Sequence, residues 1–269
     1  MSLVVLFWYA AAACSIFISG FDVQAQPTTD PSEVRALNAI FQKWNITNKV
    51  KQWNTTGDPC SGIAIDEDDD TSYFYDATNY NPFVKCNCSY DSNTTCHITQ
   101  LKASILDIVA PIPEELYTLT FLQYLDVKKN YLTGPISASI GNLSSVTYLN
   151  LGHNDLSGEF PKDIVKLNNL TYLNLGHNDL SGELPKDIVK LNNLTYLALG
   201  TLDLSGSLPP EIGYITTLIN IFIDNSGLSG EIPPTFANLT NLEQFWATDT
   251  NLTGRLPDFV GNWTKLTTL

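Results

Sequence analysis

The sequence VTYLNLGHNDLSGEFP occupies residues 146–161, and the near-copy LTYLNLGHNDLSGELP occupies residues 170–185. The copies are 24 residues apart, and the same interval separates apolar anchor residues over most of the chain. Recurrence at one period predicts stacked copies of a single structural unit. Seven complete units and the start of an eighth follow from the anchors Ile98, Leu122, Val146, Leu170, Leu194, Leu218, Leu242 and Leu266.

Each unit contains the pattern L-x-x-L-x-L, whose alternation predicts a short strand. In the unit that begins at Val146, Leu149 and Leu151 lie on one side of the strand and Asn150 on the other. One such strand cannot bury its apolar side alone, so units must stack about 4.8 Å apart into a parallel sheet over a continuous core. We predict an α/β solenoid, a leucine-rich-repeat horseshoe with the parallel sheet on its concave face.

The second half of each unit carries turn residues. Asn130, Asn154 and Asn178 occupy one repeat position and predict a ladder of buried amides bonded to the backbone of adjacent coils. Leucine interrupts the ladder at Leu106 and Leu202, whereas the hydroxyls of Ser226 and Thr250 are expected to replace the amide in part. Glycines that permit positive φ follow at Gly134, Gly158, Gly182, Gly206, Gly230 and Gly254.

The signature L-x-G-x-I-P, present as residues 228–233, resembles the plant extracellular class of leucine-rich repeat. That class is found in plant receptor-like kinases and in secreted polygalacturonase inhibitors. Residues 53–60, 85–90, 96–99, 223–230 and 256–266 resemble more specifically the plant receptor-like serine/threonine kinases whose ectodomain continues into a malectin-like domain. The resemblance implies a plant-type horseshoe with a disulfide-stabilised N-terminal cap, and a kinase domain beyond residue 269.

Composition narrows the classes of partner. The chain is 43% apolar and only 16% charged, and its net charge of −14 argues against nucleic acid or an anionic membrane surface as the main partner. An acidic surface would suit a basic peptide or a cationic patch on another protein. Ten Asn-x-Ser/Thr sequons indicate an extracellular glycoprotein: Asn45, Asn54, Asn87, Asn93, Asn142, Asn169, Asn193, Asn238, Asn251 and Asn262. None lies at an outward strand position of a repeat, so the strand face should stay free of sugar.

Three regions are expected. Residues 1–25 are interpreted as a secretory signal peptide, with a signal anchor as the alternative because no Lys or Arg precedes the apolar run. Residues 26–97 should form an N-terminal cap. It includes a helix with Asp30 as N-cap, Pro31 at the first position and Glu33 reaching back to the cap. The residues predicted to share one apolar face are Val34, Leu37, Ile40, Phe41 and Trp44. Residues 98–269 form the repeats.

Four cysteines remain after removal of the leader, namely Cys60, Cys86, Cys88 and Cys96. An even number in a secreted chain predicts two disulfides, with Cys60 paired to Cys86 or to Cys88. Zinc bound by Cys86, Cys88, Cys96 and His97 is the rival interpretation, although C-x-C is not a standard zinc spacing. The acidic run 66–70 lacks the ligand order of a calcium loop and is interpreted as a solvated loop.

Residues 146–169 and 170–193 differ at two positions, which indicates duplication of one unit, with an error in the gene model as the alternative. The chain ends within the strand of the eighth unit, and we expect it to be part of a longer product. No nucleophile elbow, metal-binding helix motif, phosphate loop or kinase motif occurs in the sequence, so neither an enzyme nor a cofactor is predicted. A parallel β-helix enzyme is disfavoured because paired carboxylates on one face are absent.

The predicted binding surface is the concave sheet, where we select Tyr124, Asp126, Tyr148, Tyr172, Tyr196, Phe222 and Trp246. Tyrosine is enriched at recognition sites because it combines rigid apolar area with a hydroxyl. Tyr148 and Tyr172 are expected mainly to stack on each other. Phe222 and Trp246, which no internal partner requires, are expected to contact a partner.

Two functions are compatible with these features. The first is the extracellular portion of a plant receptor-like serine/threonine kinase, at the outer face of the plasma membrane or in the cell wall. Its partner would be a protein, a peptide, a cell-wall glycan or a co-receptor, and membrane attachment would require a C-terminal extension. The second is a secreted inhibitor of cell-wall-degrading glycosidases. A complete transcript that continues into a malectin-like domain, a membrane span and a kinase would decide for the first.

Overall fold

A computed structural model describes residues 26–46, 54–62 and 81–269. The predicted signal peptide and the acidic run at 66–70 lie outside the described residues. Within this part of the chain, a short strand and one α-helix precede a regular alternation of strands and 3-10 helices. No helix in it has the length and apolarity needed to cross a membrane.

The main sheet consists of strands contributed by successive 24-residue coils. The strands of the sheet are β1 (Thr28–Thr29), β2 (Phe83–Tyr90), β3 (Thr95–Lys102), β5 (Tyr124–Asp126), β7 (Tyr148–Asn150), β9 (Tyr172–Asn174), β11 (Tyr196–Ala198), β13 (Asn220–Phe222) and β15 (Gln244–Trp246). Strands β5 to β15 of this sheet pair in parallel and in register, so that Tyr124, Tyr148, Tyr172 and Tyr196 lie side by side. The longer strand β2 pairs antiparallel to β3 at the N-terminal end.

Shorter strands follow the turn of each coil and form two further parallel sheets. The five-stranded sheet contains β4 (Val109–Pro111), β6 (Tyr131–Gly134), β8 (Asp155–Glu159), β10 (Asp179–Glu183) and β12 (Asp203–Ser205), and the two-stranded sheet contains β14 (Ser229–Gly230) and β16 (Asn251–Leu252). Each coil then returns through a 3-10 helix: Glu114–Thr118, Ala138–Asn142, Lys162–Lys166, Lys186–Lys190, Pro210–Tyr214, Pro234–Asn238 and Asp258–Asn262. The six repeat glycines named above all have positive φ, as predicted.

The core is a continuous column of the leucine positions. The anchors from Ile98 to Leu242 are all 0% exposed, and the residues three positions later are equally buried through Leu197. Every coil therefore buries its apolar side against its two neighbours, which is the condition for stability of a solenoid. The prediction of a leucine-rich-repeat solenoid with a parallel concave sheet is confirmed.

The asparagine ladder is present where it was predicted. Asn154 accepts a hydrogen bond from the Leu132 backbone N–H at 3.1 Å and donates to the Leu151 carbonyl at 2.9 Å. Asn178 repeats this pattern with the Leu156 N–H at 3.0 Å and the Leu175 carbonyl at 2.8 Å. In the preceding coil, Asn130 accepts from the Ile108 N–H at 3.3 Å and donates to the Val127 carbonyl at 3.0 Å. The ladder thus joins the coils on either side of it through buried amides.

Beyond Asn178 the ladder changes, and one prediction is wrong. The Ser226 hydroxyl is buried and has no hydrogen-bond partner in the described part of the chain. Instead the Ser226 backbone carbonyl accepts from the Leu204 N–H at 2.9 Å, where the other coils use an amide oxygen. Gly227 accompanies this change with a φ of +76°. Thr250 fits the prediction better, because its hydroxyl donates to the Ala247 carbonyl at 2.8 Å.

The N-terminal region covers the first coil with helix α1 (Pro31–Lys43). Asp30 caps the helix by accepting from the Ser32 N–H at 2.7 Å, and Leu37, Ile40, Phe41 and Trp44 are buried as expected, whereas Val34 is only half-buried. Glu33 does not reach back to the cap, which corrects the prediction. Its carboxylate accepts from the Ile98 N–H at 2.6 Å and lies 2.8 Å from His97 Nδ1, so it fastens the helix to β3.

Two disulfides hold the rest of this region. Cys60 pairs with Cys86, one of the two partners left open by the sequence, and Cys88 pairs with Cys96. The zinc interpretation loses its ligands because all four sulfurs are engaged in disulfides. The boundary at residues 97 and 98 falls within β3, so the division into a cap and repeats stays a proposal.

Candidate partner-binding surface

The concave face carries an aromatic row, defined as Tyr124, Tyr148, Tyr172, Tyr196, Phe222 and Trp246. Its four tyrosines stack with ring centroids 4.2–4.3 Å apart and interplanar angles of 11–13°. Because in-register strands lie about 4.8 Å apart, stacking is the geometry that identical rings at one repeat position must adopt. The expectation that Tyr148 and Tyr172 mainly stack on each other agrees with this arrangement.

Burial disfavours the charged form of two of these tyrosines. Burial, then the neighbouring Asp126 charge, raises the pKa of Tyr124, and burial followed by its two tyrosine neighbours raises the pKa of Tyr172. A phenolate is therefore disfavoured at these two residues. The row offers ring edges and neutral hydroxyls to a partner.

A second row of polar residues lies beside the tyrosines. Asp126 is only 2% exposed and Asn150 only 1% exposed, and each is bonded to the tyrosine of its own strand at 3.3 Å. Asp126 also lies 3.4 Å from the Lys128 ammonium. The prediction that Asp126 contacts a partner is corrected, because its carboxylate is buried and bonds to Tyr124 and Lys128.

Phe222 and Trp246 end the aromatic row in a different geometry. Phe222 lies 5.2 Å from Tyr196 at an angle of 41°, and Trp246 meets Phe222 edge-on at 5.4 Å. No internal partner was expected to require these two side chains, yet they contact each other and continue the row, and their contact with a binding partner stays a prediction. Trp246 nevertheless remains 44% exposed. The C-terminal end of the row is consequently its most accessible apolar part.

Sequence reasoning missed the column of residues just past the strands. Gly152, Gly176 and Gly200 lie in successive coils there, flanked by His153 and His177, whose rings stack at 4.1 Å. The column forms a trough: a depression of about 190 Å³ lined by Gly176, Gly200, Tyr196, Phe222, Asp224, Trp246 and both histidines. Three glycines at the sixth residue after three consecutive anchors were the signal that could have revealed it.

Burial lowers the pKa of His153, and the nearby His177, Lys129 and Lys128 lower it further. The imidazole is therefore disposed to stay neutral while it borders the trough. In the described residues no group of three or more His, Cys, Asp or Glu is placed to hold a metal ion. The surface is suited to contact a partner through rings, neutral hydroxyls and a few charges.

Comparison with known proteins agrees with this architecture. A family model described as "Leucine-rich repeat region" matches residues 154–269, and another described as "Leucine Rich Repeat" matches residues 121–143. These matches show leucine-rich repeats in the residues that they cover. The matched segments are repeat regions and include no kinase domain.

Relatives place these repeats among those of plant receptors. A "Probable LRR receptor-like serine/threonine-protein kinase" of Arabidopsis thaliana is 42% identical over 120 residues, which is 45% of this leucine-rich-repeat chain and 11% of the kinase. The chain is thus homologous to plant receptor-like kinases and matches about a tenth of that relative's length. The relatives are membrane receptor kinases, which supports an extracellular or plasma-membrane context.

Two solved ectodomains extend the likeness to structure. The ectodomain of the plant membrane receptor kinase GASSHO1/SCHENGEN3 from Arabidopsis thaliana, in complex with CASPARIAN STRIP INTEGRITY FACTOR 2, has a TM-score of 0.62 and 37% identity. It covers 64% of this chain and 20% of that one. The plant peptide hormone receptor RGFR1 in complex with RGF2 has a TM-score of 0.58 and 32% identity, covering 60% and 26%.

Proposed function

We propose that this leucine-rich-repeat chain is the ligand-binding ectodomain portion of a plant receptor-like serine/threonine kinase, and that it binds a peptide on its concave face. The observation that carries the proposal is the aromatic row, which ends in the half-buried Phe222 and the exposed Trp246. Aromatic side chains, tryptophan above all, are enriched at binding hot spots, and ligands bind preferentially to concave surfaces.

The solved relatives support a peptide as the ligand. RGFR1 is described as a peptide hormone receptor in complex with RGF2, and GASSHO1/SCHENGEN3 was solved with CASPARIAN STRIP INTEGRITY FACTOR 2. Both are above 30% identical to this chain, over 64% and 60% of its length. A chain of this kind recognises its ligand without reacting with it, so we propose that the described domain is non-catalytic. Phosphoryl transfer would belong to a kinase domain elsewhere in the whole protein.

The secretory route is part of the same proposal. The leader at 1–25, two disulfides and ten sequons are all features of proteins that fold in an oxidising compartment. The sequons would carry sugar on exposed surfaces, such as Asn142, Asn238 and Asn262, at the ends of 3-10 helices and away from the concave strands.

A displayed library of random linear decapeptides tests the function. The glycosylated chain should enrich specific peptides, and F222A/W246A should bind the enriched peptides at least 10-fold more weakly because it removes the accessible rings. The matched control is Y214A, since Tyr214 is 59% exposed but lies in a 3-10 helix away from the sheet. Enriched peptides that bind F222A/W246A as tightly as the unmodified chain would show that the row is not the binding surface.

The same preparation separates the receptor from the inhibitor function. A glycosidase inhibitor should reduce the activity of a cell-wall polygalacturonase in a dose-dependent manner, and a peptide receptor should not. Strong inhibition together with an empty peptide selection would reject the proposed function in favour of the alternative.

A further inference from the structure

The two ends of the trough carry opposite charges. One coil before Gly152, outside the lining of the depression, Lys128 occupies the repeat position of the glycines and Lys129 that of the histidines, and the buried Asp126 offsets part of their charge. At its C-terminal end lie Asp224 and Asp249, and the described residues place no Lys or Arg in an ion pair with them. The intervening coils contribute only uncharged side chains and the two histidines to this face.

Backbone hydrogen bonds show that the charged ends and the glycines form one continuous column. The N–H groups of Lys129, His153, His177 and Thr201 donate in turn to the carbonyls of Gly152, Gly176, Gly200 and Asp224, at 3.0, 2.9, 2.8 and 2.7 Å. Each glycine therefore sits beside its counterpart in the next coil. The column begins beside Lys128 and ends at Asp224, where a side chain appears at the glycine position.

The carboxylate of Asp224 leans back over the last glycine. A Cβ atom placed on Gly200 would lie 2.7 Å from Asp224 Oδ1, so the carboxylate occupies the space that a side chain at residue 200 would need. Asp224 also lines the depression together with Trp246. Its charge is thus presented to whatever fills the trough, beside the most accessible ring of the aromatic row.

The trough lies on the edge of the sheet that carries no sequon. Within the repeats, Asn142, Asn169, Asn193, Asn238 and Asn262 all precede the concave strands, whereas the glycine column follows them. The remaining repeat sequon, Asn251, lies in β16 of the outer sheet. Sugar on these residues would cover the opposite edge and leave the trough open.

We propose that the trough binds an extended peptide segment that has a basic group against Asp224 and Asp249 and an acidic group against Lys128 and Lys129. This inference rests on the proposed peptide-binding function and specifies its ligand. Opposite charges at the two ends favour a peptide, which can carry both signs, over a cell-wall glycan, which is neutral or anionic. Complementary charges of this kind also fix the direction in which a ligand lies.

The spacing of the charges sets the length of the segment. Lys128 and Asp224 are separated by four coil steps of the paired sheet, which is about 19 Å at roughly 4.8 Å per step. An extended chain advances about 3.3 Å per residue, so the basic and acidic groups of the ligand should be about six residues apart.

The test is a decapeptide selection on the unmodified chain, followed by binding measurements on charge-exchanged variants. We expect enriched peptides to carry one basic and one acidic residue five to seven positions apart. K129E/D224K should weaken their binding at least 10-fold, and a peptide with its two charges exchanged should recover most of that loss. The matched control K162E/D203K makes the same exchange outside the concave face and should bind like the unmodified chain.

Each outcome has a distinct meaning. Enriched peptides without the charge pair, or binding to K129E/D224K within twofold of the unmodified chain, would overturn the polar trough but leave peptide binding intact. An empty selection on the unmodified chain would overturn the proposed function and this inference with it. If K129E/D224K does not fold, judged by its thermal unfolding, the milder K129Q/D224N should still weaken binding at least threefold. Unchanged binding by that variant would equally reject the trough.

Discussion

The coils follow one repeating backbone path but form two groups that are joined differently. The first group contains Asn130, Asn154 and Asn178, and the second group contains Leu202, Ser226 and Thr250. In the first group buried amides connect neighbouring coils and the tyrosines stack almost face to face. In the second group a backbone carbonyl or a hydroxyl replaces the amide, and the rings meet at steep angles.

The two groups show which residues the solenoid fold requires and which residues remain available for binding. The anchor residues are fully buried in both groups, so the coil geometry depends on them and not on the asparagine ladder. Repeated side chains in the first group contact or hydrogen-bond one another, so they leave few accessible groups for a binding partner. Side chains that differ from their neighbours, such as Asp224 and Trp246, are left with exposed groups, and they lie in the second group.

The largest expected effect is that of G227A. Gly227 and Gly134 both have a φ of +76°, but a Cβ on Gly227 would lie 2.2 Å from the Leu204 carbonyl oxygen, whereas one on Gly134 would meet nothing within 4 Å. G134A should cost about 1–2 kcal/mol for the left-handed backbone alone. G227A should cost about 3–4 kcal/mol, because it adds a clash and breaks the hydrogen bond from the Leu204 N–H to the Ser226 carbonyl, which replaces the ladder amide.

Urea denaturation measures both free energies of unfolding. Equal losses in G227A and G134A would mean that the chain around Leu204 relaxes freely, and that the second group of coils does not depend on this close approach.

Removal of a ladder amide should have the next largest effect. N154A should reduce the free energy of unfolding by about 2–3 kcal/mol, because it leaves the buried Leu132 N–H and Leu151 carbonyl without their partner. T250A, in the second group, should cost below about 1 kcal/mol because its site is partly open. Urea denaturation again applies, and a T250A loss as large as that of N154A would erase the difference between the two groups.

Single ring removals sharpen the contrast on the concave face. Tyr172 stacks on two neighbours, and Y172A should cost about 2 kcal/mol of stability from lost stacking and burial. W246A removes a ring with one aromatic neighbour in the row and should cost below about 1 kcal/mol. Differential scanning calorimetry should rank the variants in this order. A larger loss of stability in W246A would identify Trp246 as a packing residue and weaken its proposed role in binding.

The smallest effect concerns His153 in the first group. Because burial and neighbouring cations lower the pKa of His153 below its ordinary value of 6.5, the unfolded chain binds more protons than the folded chain just below that pH. The contribution of this residue to stability is therefore complete above pH 6.5 and falls as the pH is lowered. Melting temperatures between pH 7.5 and 5.5 should fall less in H153N than in the unmodified chain. Parallel curves would exclude His153 as a source of pH dependence.

Several details could not be predicted because they depend on contacts between residues far apart in sequence. Glu33 has the spacing of a local capping residue, yet its carboxylate bonds to the buried N–H of Ile98, 65 residues away, and to His97. Ser226 has the hydroxyl expected to bond, yet Gly227 lets the backbone bond instead. The burial of Asp126 follows from its contacts with Tyr124 and Lys128, which a repeat pattern does not specify.

The 24-residue period by itself determined the parallel sheet, its register, the buried leucines and the surface on which the tyrosines lie. It could do so because each coil contacts only its neighbours, so one local pattern repeated in order leaves a single way to bury the apolar side. Only the tertiary structure decided which disulfide partner Cys60 takes, how the rings turn at Phe222 and Trp246, and that the Asp224 carboxylate lies over Gly200. Those features arise where side chains from different coils meet, and their outcome depends on space and hydrogen-bond partners that the sequence does not display.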